Sequence, residues 1–161
     1  MFERECTIYA FLLGYRDKLV ADIDDARFAD QPASGVNHPA WLLGHLTFAA
    51  DSGLRLLGHE RIRADSWDQV FGFGTLPRAD RATYPPKDEL LQVHGMAHER
   101  LSLAARGANA DVVAEPNPMA ILRRALPTKG DLLAHLLTSH EAMHLGHLSN
   151  WRRQMGMPYI F

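Results

Sequence analysis

The sequence predicts an all-α protein, a four-helix bundle with a long crossover between helices two and three. Four long segments repeat apolar residues at helical spacing, and stretches rich in Gly, Pro and Asp separate them. No alternation of apolar and polar residues typical of a strand survives between these segments. Four helices with one apolar stripe each can bury those stripes in a single core.

The first two helices are defined by an apolar stripe and by helix-start signals. The first is predicted over residues 4–27, with its stripe formed by Ile8, Leu12, Tyr15, Leu19 and Ile23. The second is predicted to begin at Asn37 as N-cap, with Pro39 in its first turn, and to end at Gly58. Its buried face is predicted to carry Trp41, Leu42, His45, Ala49, Ser52 and Leu56.

The third and fourth helices have clear ends. The third is predicted from Pro86 to Gly107. The fourth opens at Thr128, with Asp131 three residues later in the pattern of a capping box, and continues to Gly156.

The connection between helices two and three, residues 59–85, is far longer than an antiparallel hairpin requires. A link of this length predicts a crossover that leaves the two helices as parallel neighbours. Its aromatic residues predict a segment that packs as a cover over one end of a cavity, namely Trp67, Phe71, Phe73 and Tyr84.

Composition limits the classes of function. The chain has 161 residues, which suits one domain over residues 1–161. A formal net charge of −2 without a long run of one sign favours neither nucleic acid nor an anionic membrane as a partner. Cys6 is the only cysteine, so a cytoplasmic, reducing location is expected and a multi-thiolate zinc site is excluded. No apolar run reaches the length of a membrane span.

The sequence HEAMH places His140 and His144 four residues apart on a predicted helix. At that spacing two side chains are neighbours on one face, so both imidazoles can bind one metal ion at about 2.0–2.1 Å. The same letters satisfy the zincin protease pattern, in which Glu141 would be the general base. That pattern needs a further ligand downstream, but residues 142–161 contain no Asp or Glu, and Asn150 stands where a metzincin has its third histidine. A third ligand is therefore expected upstream.

Other histidines complete the set of candidates. His140, His144 and His147 are predicted to point inward together with Leu133, Leu136, Met143 and Trp151. On helix two, His45 falls on the buried stripe. An unpartnered buried imidazole costs on the order of 1–3 kcal/mol, and a shared metal would explain several of them together.

The segment NHPAWLLGHL at residues 37–46, followed by HEAMHLGHL at residues 140–148, resembles the DinB/YfiT-like superfamily of metalloenzymes over nearly the whole chain. The resemblance implies that His45, His140 and His144 bind one divalent metal in a four-helix bundle that usually forms a homodimer. Zinc or nickel is the expected ion, because affinity rises towards that end of the divalent series. Many relatives have glutamine at the position of His147, so a fourth ligand or a proton carrier is open for this residue.

The resemblance also implies an activity. Characterised relatives include transferases and isomerases that use a low-molecular-weight thiol such as bacillithiol or mycothiol, and others are regarded as hydrolases. Thiol transfer to a small-molecule substrate ranks ahead of metal-dependent hydrolysis. A non-catalytic binding or dimerisation module that carries metal incidentally is the competing class. Glu141 is either a catalytic acid/base or a non-catalytic carboxylate that orients an imidazole or faces solvent.

Three further histidines are assigned other roles. His94 and His98 form a second pair four residues apart, and they are predicted to be solvated or to lie at a cavity edge. His38 precedes His45 by seven residues, which is about 10.5 Å along a helix, so a capping or entrance role is expected.

Overall fold

The computed structural model describes residues 1–160, which form an all-α fold without a β-strand in that part of the chain, as the sequence predicts. Its α-helices are α1 (Glu3–Val20), α2 (Pro39–Leu56), α3 (Trp67–Phe71), α4 (Lys87–Arg106), α5 (Ala110–Ala114), α6 (Lys129–His135) and α7 (Glu141–Gln154). A π-helical segment, Leu136–His140, connects α6 directly to α7. No helix among the described residues has the length and apolar character needed to cross a bilayer.

Helices α2 and α4 run side by side in the same direction. At their N-terminal ends, the ring of His38 lies 4.9 Å from the ring of Tyr84, which precedes α4. Further along, a Cβ atom at Gly53 of α2 would lie 2.9 Å from the side chain of Leu101 in α4. The predicted crossover between parallel neighbours is therefore confirmed.

Helix α7 runs antiparallel to α2. The ring of Trp41 lies 6.3 Å from the ring of His144, and one turn later along α2 the ring of His45 lies 5.5 Å from the ring of His140. The sequence order rises along one helix and falls along the other. Histidines near the start of α7 therefore meet the first half of α2.

The first helix differs from its prediction at its C-terminal end and in its buried face. It ends at Val20, and residues Asp25–Arg27 form a separate 3-10 turn. Ile8 is 48% exposed, whereas the neighbouring Tyr9 is buried. Leu12 and Leu19 of the predicted stripe are buried as expected. The interior face of α1 also contains side chains that hydropathy alone does not predict there, namely Cys6, Tyr9 and Arg16.

His38, rather than Asn37, is the N-cap of α2, so the predicted cap was one residue too early. The backbone N–H of Trp41 donates to Nδ1 of His38 at 3.3 Å, and Nε2 of His38 donates to the carbonyl oxygen of Arg78 at 2.9 Å. Burial lowers the pKa of His38 to about 4, which keeps the Nδ1 lone pair free to accept. The capping role expected for His38 is confirmed.

Helix α6 begins as predicted. The hydroxyl of Thr128 accepts from the backbone N–H of Asp131 at 3.1 Å, and the carboxylate of Asp131 accepts from the backbone N–H of Thr128 at 2.9 Å. This reciprocal capping box satisfies two of the donors that a helix start leaves open. It fixes where the helical segment that leads to HEAMH begins.

The crossover is tied to α2 at its start. Asp51 of α2 is fully buried, and its carboxylate accepts from the backbone N–H groups of Ile62 and Arg63, each at 3.0 Å. The guanidinium of Arg63 lies 4.6 Å above the ring of Phe48. Further along, the aromatic residues Trp67, Phe71 and Tyr84 are buried in the core, while Phe73 is exposed.

Candidate metal centre

The structure brings together the three histidines that the sequence singles out. His45 lies on α2, His140 ends the π-helical segment, and His144 lies one turn into α7. One ring nitrogen from each lies within 4.8 Å of the others. The three ring planes are inclined to one another by 44°, 64° and 67°, so lone pairs in those planes can converge on one point.

The centre lies at the margin of the buried face of α7. That face runs through Glu141, Leu145, Leu148 and Arg152. His144 is buried, His140 is half-buried, and His147 is exposed. The prediction that His147 and Met143 point inward is wrong, because the buried face is centred on Glu141 and Leu145 rather than on the histidines.

The crossover determines how His45 is oriented. Its Nδ1 atom donates to the carbonyl oxygen of Phe71, at the end of α3, at 2.9 Å. The indole of Trp41 stacks on the imidazole, with planes within 7° and centroids 4.7 Å apart. The Nε2 atom of His45 therefore carries the lone pair that a metal needs.

Burial keeps the three imidazoles neutral. It is the main cause that lowers the pKa of His140 to about 3 and of His144 to about 2, and each is lowered further by neighbouring histidines. Burial also lowers the pKa of His45. Only a neutral imidazole can bind a metal, so this environment favours binding at neutral pH.

The donor set fits a divalent transition metal. The Nδ1 atoms of His140 and His144 are buried and have no hydrogen-bond partner within the described part of the chain. Neutral imidazole nitrogens are preferred by ions such as zinc and nickel. An ion bound by one nitrogen of each ring would explain why polar groups are buried here.

Two further histidines flank the triad. The ring of His135 lies 5.6 Å from that of His140, and its Nδ1 is 2.7 Å from the hydroxyl oxygen of Ser139. The exposed ring of His147 lies 5.5 Å from that of His144. Sequence reasoning missed His135, because five residues before His140 is the wrong face of a regular α-helix.

Glu141 is directed away from the triad. Its carboxylate is only 2% exposed, and its Oε2 lies 3.2 Å from Nε2 of His98 on α4. This contact agrees with the non-catalytic role expected for Glu141, a carboxylate paired with an imidazole. The imidazole is that of His98, which is not one of the three candidate ligands.

His94 and His98 are both fully buried, so the prediction of a solvated or cavity-edge pair is wrong. Their rings stack at 3.6 Å within 7°. They lie on the buried stripe of α4, where paired polar groups replace apolar ones. Together with Glu141 they form a second group whose ligand atoms lie within 4.8 Å of one another.

Comparison with known proteins agrees with this all-α architecture. A search of curated proteins finds no match to the chain. The family model of the DinB superfamily matches residues 15–148, which include all three histidines of the triad and the crossover. The chain belongs to the DinB superfamily.

Proposed function

We propose that this protein is a metal-dependent enzyme that transfers a low-molecular-weight thiol to a small electrophilic substrate. The observation that carries the proposal is the triad of His45, His140 and His144, whose group contains no fourth ligand among residues 1–160. Structural zinc sites are usually closed by four protein ligands, whereas catalytic sites keep a position open. A three-histidine centre at the margin of the helical core matches the second kind.

The side chains around the centre have distinct roles in this proposal. A divalent ion there would act as a Lewis acid that favours the deprotonated form of a thiol. His45, His140 and His144 hold that ion, and the carbonyl of Phe71 keeps His45 in the correct tautomer. In this proposal the exposed imidazole of His147 accepts the thiol proton; its ring lies 5.5 Å from that of His144, which supports this role.

The position of Glu141 favours thiol transfer over hydrolysis. Metal-assisted hydrolysis commonly uses a carboxylate near the metal as the base that activates water. Here that carboxylate lies 3.2 Å from His98 in the interior. A thiol that has lost its proton is already the nucleophile and needs no further base. Its sulfur forms a bond to the electrophile, and the leaving group departs with the bonding electron pair.

The test is a screen of zinc-loaded and nickel-loaded protein with bacillithiol, mycothiol and other thiols against small electrophiles. Mass spectrometry should detect a thioether product that requires both the thiol and the metal, and His144→Ala should abolish it. A hydrolysis product formed without thiol would favour the hydrolase. Ligand binding that is unaffected by chelation, without turnover, would favour the non-catalytic module.

We also propose that the protein is a homodimer, as the family resemblance implies. Sedimentation equilibrium at micromolar concentration tests this, and a monomer under these conditions would contradict it.

A further inference from the structure

The hydrogen bond between Glu141 and His98 requires a proton on one of the two facing atoms. Nδ1 of His98 lies 2.8 Å from the carbonyl oxygen of His94, and since a carbonyl only accepts, Nδ1 carries a hydrogen. In a neutral imidazole the lone pair is then on Nε2, which lies 3.2 Å from Oε2 of Glu141. Two acceptors at this distance require one proton between them. The pair therefore forms a buried hydrogen bond between α4 and α7.

His98 is held firmly in place for this bond. The ring of Tyr9 from α1 stacks on it with centroids 5.2 Å apart, and the ring of His94 stacks at 3.6 Å. His94 is fixed in turn, because NH1 of Arg16 on α1 donates to its Nδ1 at 2.8 Å. Residues from α1 and α4 thus determine where Glu141 of α7 finds its partner.

This second cluster is not arranged as a metal site, although its ligand atoms are close together. Imidazole lone pairs lie in the ring plane, and the planes of His94 and His98 are within 7° of parallel, so the pairs cannot converge on one ion. A guanidinium is always charged and only donates, so Arg16 occupies the Nδ1 lone pair of His94 and repels a cation. In the triad, by contrast, the ring planes are inclined to one another. The Nδ1 atoms of His140 and His144 also have no hydrogen-bond partner among the described residues.

We propose that Glu141 is a positioning residue, whose bond to His98 sets the rotation of α7 about its axis and so the direction of His140 and His144. Glu141 directly follows His140 and is about 100° around the helix from it. Any rotation of α7 that displaces the two ligands therefore also stretches the bond to His98. The inference rests on the metal centre of the proposed function but not on thiol transfer.

The other polar anchor of α7 provides a matched control. Near the C-terminal end of that helix, the buried guanidinium of Arg152 donates to the carbonyl oxygen of Leu19 at 2.8 Å and pairs with the carboxylate of Asp22. Asp22→Ala weakens this anchor two turns beyond His144. It should lower thermal stability and leave the metal centre unchanged.

The experiment is a titration with Co²⁺, followed by its visible absorption, on the wild type, Glu141→Gln, Glu141→Leu and Asp22→Ala. Glu141→Gln should retain the wild-type affinity and spectrum, because the amide N–H can donate to Nε2 of His98. Glu141→Leu keeps the volume but loses the bond, so Co²⁺ affinity should fall by about tenfold or more and the absorption bands should shift. Circular dichroism verifies that each variant is folded.

A folded Glu141→Leu protein with the affinity and spectrum of the wild type would overturn the proposal. The proposal would also be overturned if Glu141→Gln retained the Co²⁺ spectrum but lost turnover, since Glu141 would then act in the chemistry. If Glu141→Leu does not fold, Glu141→Ala, which adds no volume and favours helix, takes its place with the same expectation. Normal Co²⁺ results without any thiol transfer would refute the proposed function alone.

Discussion

The carbonyl oxygen of Phe71 accepts a 2.9 Å hydrogen bond from Nδ1 of His45, which joins the crossover to the metal centre. The crossover supplies no ligand, yet it selects the tautomer of one. Next to His45, Gly44 has no side chain, and this lets the ring of Phe71 approach α2 closely. A small residue at position 44 is therefore a condition for the orientation of His45.

Gly44→Ala should destabilise the protein and weaken metal binding. The added Cβ would lie 2.2 Å from ring carbons of Phe71, so the ring must move, at a cost of about 1–3 kcal/mol in the free energy of unfolding. Gly146→Ala on α7 is the control, because its Cβ would meet no atom within 4 Å and alanine favours helix by up to about 1 kcal/mol. Denaturant unfolding measures the free energy of unfolding of both variants, and equal stability of Gly44→Ala and wild type would contradict the expectation.

Alanine at His45, His140 or His144 should each abolish stoichiometric metal binding. Each substitution leaves two imidazoles, too few to hold a divalent ion tightly at an open site. His59→Ala, at an exposed position after α2, should retain the metal. Elemental analysis measures the metal content of each purified variant, and a full equivalent of metal in His45→Ala would rule out the triad as the binding site.

The metal-free protein should lose stability as the pH falls from about 6.5 towards about 3. In the unfolded chain His140 and His144 take up protons below their ordinary pKa of 6.5, whereas burial keeps them neutral in the folded protein until their pKa values of about 3 and about 2. Within this window each can contribute a slope of up to about 1.4 kcal/mol per pH unit. Urea unfolding at several pH values measures the slope. The slope should be shallower in His144→Ala, and an unchanged slope would contradict the view that buried neutral His144 causes part of the pH dependence.

Zinc-loaded protein should not cleave peptides. The carboxylate that would serve as the base in a zincin binds His98, and residues 142–161 offer no carboxylate as a further ligand. A fluorescent peptide assay with and without zinc tests this. Zinc-dependent cleavage that disappears in Glu141→Gln would restore the protease interpretation.

Chelation should leave the helical circular dichroism intact at room temperature. The two apolar core clusters contain side chains from α1, α2, α4 and the α6–α7 segment, and burial of these side chains should hold the helices together without the ion. The melting temperature should nevertheless fall, since an ion at 100 times its Kd contributes about 2.7 kcal/mol to stability. Loss of the helical signal on chelation would instead identify a structural site.

The fold class, the crossover and the pairing of His140 with His144 could be predicted because they depend on local patterns, whereas the family resemblance adds His45 to that pair. A spacing of four residues places His140 and His144 on one face in any helix. The capping box at Thr128 likewise involves only neighbours in the chain. A connection far longer than a hairpin needs favoured a crossover that leaves α2 and α4 parallel.

The interior cluster could not be predicted, because its members come from three helices whose facing sides depend on packing. Hydropathy favours burial of Ile8, yet Tyr9 and Arg16 are inside, since they pair with His98 and His94. A hydropathy pattern assigns a charged residue such as Arg16 to the surface. The burial of Arg16 is made favourable by its partners, His94 on α4 and the carboxylate of Asp17.

The π-helical segment has a consequence for comparing members of the family. Its hydrogen bonds span five residues instead of four, so positions before and after residues 136–140 are out of phase with a uniform α-helix. His135 and His140, five apart, become neighbours at the metal centre. A deletion of one residue from this segment would restore a uniform α-helix in which these two histidines are four apart and still share a face. A relative with one residue fewer between the capping box and the HEAMH sequence can therefore present the same histidine face, and an alignment of such relatives needs a one-residue gap within residues 136–140.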